Sequence, residues 1–123
     1  MNVTLWIVAS VLAALFAIAG LTKVSQSRER LAGNMAWVED FPARTVKLIG
    51  ALEILGALGL VLPAALDVAP ALTPLAATGL AVLMLLAAFV HARRGETPMI
   101  AINVVLLVVA AFVAIMRFGP QSF

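Results

Sequence analysis

Cysteine is absent from the chain, and that one absence removes disulfides, thiolate catalysis and zinc–thiolate sites together. Histidine occurs once, so a metal centre would have to be assembled mainly from the six Asp and Glu residues, which are scattered. No metal is expected. Charge is scarce as well: Asp, Glu, Lys and Arg make up 11% of 123 residues, where a soluble domain carries about 25%. The pI near 10.0 rests on a net charge of only +2. No basic stripe with interleaved aromatics accompanies it, so nucleic acid is not an expected partner.

What fills the sequence instead is hydrocarbon. The composition is 64% hydrophobic and the mean hydropathy is +1.15. A chain of this size cannot hide so much apolar surface in one small core, so lipid has to solvate most of it. Four apolar runs, at about residues 3–22, 45–62, 72–90 and 99–116, are each close to the roughly 20 helical residues that cross a bilayer. Pro63, Pro70, Pro74 and Pro98 fall at or near the ends of these runs, where a missing N–H costs least. The expected fold is all-α: an integral membrane four-helix bundle forming a single transmembrane domain over residues 1–123. Ala17-Ile18-Ala19 resembles a signal cleavage site, yet no Lys or Arg precedes the first run, which reads as a retained helix.

Lys23, Arg28, Arg30, Arg44 and Lys47 flank the first connection and Arg93 and Arg94 lie in the third, against Arg117 alone on the other side. The positive-inside rule then places connections 1–2 and 3–4 in the cytoplasm and both termini outside, in a multi-pass protein of the cell membrane. The first connection is long for a bundle. Within it Leu31, Met35, Val38 and Phe41 recur near helical spacing beside Trp37, with Arg28, Glu39 and Asp40 on the other face. That pattern predicts a short amphipathic segment at the membrane interface. A solvated loop with scattered apolar residues is the alternative.

Small residues mark helix contacts in lipid. On the second run Gly50, Glu53 and Ala57 share one face; on the third Ala77, Ala81, Met84, Ala88 and His91 do; on the fourth Asn103, Ala110, Ala114 and Arg117 do. The polar residue of each helix therefore lies on the face expected to look inward. Glu53 sits near the middle of its run, with Thr78 and Ser10 as candidate neighbours and no Lys or Arg at its depth. A bare carboxylate there costs at least a few kcal/mol. The expectation is a protonated Glu53, or a water-filled pocket open toward Asn103, His91 and Lys23. Glu53 and His91 are the candidate catalytic pair; Asn103, Lys23, Thr78 and Met84 are candidate ligand contacts. An interhelical hydrogen bond is the bland alternative for Glu53 and Asn103, interfacial anchoring for Lys23, and packing for Met84.

Several stretches carry a family resemblance: "AGLTK" at the end of the first helix, "FP" before the second, "GALEILGALGLVLP", and "LAATGLAVLMLLAAFVHARRGE". Together they resemble the DoxX-like family of small four-helix membrane proteins over nearly the whole chain. The resemblance implies a four-helix bundle. For function it implies several roles, since some relatives are subunits of membrane thiosulfate–quinone oxidoreductases or partners of detoxifying enzymes, and others resemble receptor-assembly chaperones. Related families that handle disulfides with quinones need cysteines, which are missing here.

Three readings follow. In the first, the chain is an accessory or quinone-proximal component of a membrane redox complex, and Glu53 and His91 hold a quinone head group or relay its protons. A partner then supplies the electrons, because the residues present do not make a conventional haem or iron–sulfur site. In the second, the chain is an acid–base enzyme for a lipophilic, isoprenoid- or quinone-like substrate, with a protonated Glu53 as acid and His91 as base. In the third, its apolar surface assembles with another membrane protein or with a second copy of itself. No covalently bound cofactor is expected in any of them.

Overall fold

The computed structural model describes residues 2–33, 37–38 and 41–119. Four long helices dominate them: α1 (Asn2–Ser25), α3 (Ala43–Ala65), α4 (Leu72–Arg94) and α5 (Thr97–Phe118), with a five-residue helix α2 (Arg28–Ala32) between the first two. All four long helices are apolar enough to cross a membrane, and only 22–28% of each apolar window is buried inside the protein. Most of their apolar side chains, Ile7, Leu55, Phe89 and Ile115 among them, therefore point outward. A soluble bundle would put polar residues there; a bundle solvated by lipid has no reason to.

The helices associate as two antiparallel pairs, α1 with α3 and α4 with α5, joined chiefly through α3 and α4. The first pair is made by glycine. A Cβ added to Gly20 would fall 2.5 Å from the Gly50 carbonyl oxygen, so the two backbones touch where neither residue carries a side chain. The second pair is closed by Gly95 in the left-handed conformation (φ 71°), which lets its own N–H reach Ala92 O and the Glu96 N–H reach His91 O. Leu12, Phe16, Ala57, Leu60, Leu80 and Val113 fill the space between the pairs.

Pro63 lies inside α3, in its last turn, rather than beyond it. A proline there leaves Gly59 O without its helical donor. Thr73, from the first turn of α4, supplies the missing bond: its hydroxyl donates to Gly59 O at 3.0 Å. The break in one helix is repaired by the next.

Between α1 and α3 the chain is helical at Arg28–Ala32, capped by Ser27, whose hydroxyl accepts from the Arg30 N–H. Leu31 and Val38 are buried against Val46, with Trp37 and Phe41 packed on them. The apolar side of this connection is thus taken up largely by the protein itself. Met35, Glu39 and Asp40 lie outside the described residues.

Candidate functional site

Glu53 occupies the inward stripe of α3 with Val46, Gly50 and Ala57 and is 3% exposed. Its surroundings differ from the sequence expectation of a carboxylate without a cation at its depth. Lys23 Nζ lies 2.8 Å from Glu53 Oε1. The cause is register. Lys47 on α3 caps the end of the first helix, donating to Val24 O at 2.9 Å, so α1 ends level with Lys47 and not with the start of α3. Glu53 is six positions beyond Lys47, about 9 Å of helical rise, a gap that the Lys23 and Glu53 side chains together can bridge. Gly50 lets the Lys23 stem pass against α3, since a Cβ there would meet Lys23 Cβ at 2.8 Å. The lysine then runs its four carbons inward to the carboxylate. The contact is an ion pair between buried side chains of two different helices.

His91 ends the inward stripe of α4 and is 4% exposed. Its Nδ1 lies 2.8 Å from Glu96 Oε1, and Arg94 Nε is 3.3 Å from the same oxygen. The left-handed Gly95 turn makes this dyad, by folding residue 96 back over the last turn of the helix. The contact with the carboxylate fixes the imidazole orientation and leaves Nε2 as the ring nitrogen not engaged by Glu96. The Trp37 ring stands edge-on to His91, with centroids 6.5 Å apart, and lies under Lys23 Nζ at 5.9 Å. Trp37 thus ties the two charged clusters together.

Asn103 comes from α5 and is buried, and its Nδ2 has no hydrogen-bond partner among the described residues. Lys23, Trp37, Glu53, His91 and Asn103 all line one cavity of about 610 Å³ between the two helix pairs. Every other lining side chain is apolar, including Phe16, Ile49, Leu83, Ala87 and Leu106. Met84 is both a cavity wall and a core residue.

Two expected neighbours stand elsewhere. Thr78 is exposed and spends its hydroxyl on Pro74 O of its own helix at 2.8 Å. It is six positions from Met84, about 240° around α4, and so cannot share that face. Ser10 is likewise exposed on α1. Glu96 and Trp37 were not among the site residues expected from sequence, although "HARRGE" holds both halves of the His91–Glu96 dyad on either side of a turn glycine. No cluster of three or more His, Asp or Glu able to hold a metal occurs among the described residues.

Fold and composition define a multi-pass membrane protein: a four-helix bundle with four candidate spans and an apolar cavity that is polar at one end. Residues 7–113 match the DoxX-like family, and the chain belongs to it. No curated protein and no solved structure matches the chain.

Proposed function

We propose that the protein binds a lipophile with a polar, acceptor-bearing ring head, with quinone the best-fitting chemistry, as the quinone-proximal component of a membrane redox complex. The observation that carries this reading is the Asn103 Nδ2 donor, buried in an apolar cavity with no partner from the described residues. Leaving such a group unsatisfied costs about 1–3 kcal/mol. A ligand carbonyl between Asn103 and the Lys23 ammonium would recover that cost. The apolar walls suit a ring, and the His91–Glu96 dyad can hold or move a proton beside it. By the distribution of basic residues the polar end faces the cytoplasm of a cell-membrane protein.

The test is titration of the protein in lipid nanodiscs with a short-tailed benzoquinone, following Trp37 emission in a Trp6→Phe background. Saturable quenching that weakens at least about tenfold in Asn103→Leu supports the reading. Equal quenching in both proteins, or none that saturates, overturns it. The His91–Glu96 dyad also favours a second reading, acid–base catalysis on a lipophilic substrate in the same cavity. A Glu53→Gln variant that retained full turnover of a candidate substrate would remove that reading in its present form.

A further inference from the structure

A second cavity of about 590 Å³ runs between α3 and α4, and all of its lining is apolar. Leu52, Leu83 and Leu86 line both this groove and the polar-ended cavity, so the two spaces meet at those three side chains. From there the groove follows α4 back from Leu86 to Leu72. That is fourteen positions, or about 21 Å, most of the hydrocarbon thickness. The glycines along it do different jobs. Gly56 and Gly59 are filled by neighbours, since a Cβ at either would meet the Leu80 or Ala76 side chain within 2.7 Å. Gly79 meets nothing within 4 Å. A helical glycine costs about 1 kcal/mol against alanine, and at Gly79 no protein atom uses the room it leaves.

We infer that this groove holds the tail of the molecule whose head occupies the cavity, so that the ligand is a long-tailed lipophile lying along α3 and α4. The inference rests on the head-group reading above and names the class of ligand more narrowly. Two observations meet in it: a buried, unpartnered amide in the cavity, and an adjoining apolar groove that opens toward lipid beside Leu75 and Val82, both more than half exposed. A head alone needs only the cavity; the groove adds nearly the same volume again. Bilayer chains are as apolar as the groove, so the tail gains by close packing rather than by leaving water, and its effect on affinity is modest. Lateral entry also follows, because the groove faces the membrane along its length.

The experiment compares two quinones with one head, one carrying a short tail and one a long prenyl tail, against protein in nanodiscs. Wild type should hold the long-tailed compound about three- to tenfold more tightly at equal concentration in the membrane. Gly79→Phe and Gly79→Leu should pull that ratio back toward one, while Ile115→Phe, on the outer face of α5, should leave it unchanged. A ratio near one in wild type, or one that survives both Gly79 variants, overturns the tail groove. If the Gly79 variants instead alter oligomeric mass and spare the ratio, the groove belongs to a protein partner and the inference fails. Asn103→Leu separates the two proposals. Should it leave both affinities intact while Gly79→Phe still lowers the long-tailed one, the head assignment falls and the tail groove stands.

Discussion

Lys23 reaches Glu53 from a different helix, and its ammonium stops 2.8 Å from the carboxylate within a cavity walled mostly by hydrocarbon. Removing one charge of such a pair strands the other, whereas removing both need not destabilise at all. Lys23→Met should therefore lower stability by about 3 kcal/mol, and Lys23→Met with Glu53→Leu should recover most of the loss. Thermal unfolding of the four proteins of this cycle in one detergent gives the answer. A double variant no better than the single would mean that the pair is not the source of the loss.

Glycine at two positions predicts opposite outcomes. At Gly20 a methyl group would press on the Gly50 carbonyl, so Gly20→Ala should cost about 1–3 kcal/mol by forcing α1 and α3 apart. At Gly79 the methyl meets open space, and Gly79→Ala should be neutral or stabilising by up to about 1 kcal/mol. Melting temperatures of the two variants, measured side by side, decide whether the backbone contact is as close as described.

The Thr73 hydroxyl matters only because Pro63 cannot donate. Thr73→Val should cost about 0.6–1.7 kcal/mol, the range for hydrogen bonds between membrane helices. In a Pro63→Ala background the restored N–H can satisfy Gly59 O, so the same substitution should cost much less. A double-mutant cycle on unfolding reads the coupling directly; additive effects would show that the repair is not there.

Asn103 separates a ligand group from a structural tie. An amide that joined helices would lose stability on truncation. One that waits unpartnered in a cavity should lose none, and Asn103→Leu should unfold at the same temperature as wild type or higher. A drop of several degrees would show that the side chain bonds within the protein.

The four spans were legible because lipid leaves its mark on every apolar run. The inward faces of Glu53, His91 and Asn103 were legible too, since 100° per residue fixes which side chains share a stripe. What a single helix cannot carry is its height against its neighbour. Position along α1 puts the Lys23 backbone near the end of its helix, but its side chain passes Gly50 and brings the ammonium to Glu53. Thr78 fails for the converse reason, being close to the site in sequence but turned away from it. The Glu96 bond to His91 depends on a left-handed turn, and the Thr73 bond on a vacancy ten positions earlier in another helix. Both are relations between elements, which the periodicity of one element does not contain.

Asp67 and Ala69, in the link between the two helix pairs, hold positive φ values of 53° and 47°, a conformation that L-residues enter at a cost. Each pair is knit more closely within itself than to the other. Severing the chain between those residues would relax the strained turn and break no helix. On this view a chain divided there into two hairpins should reassemble when both halves meet in one membrane.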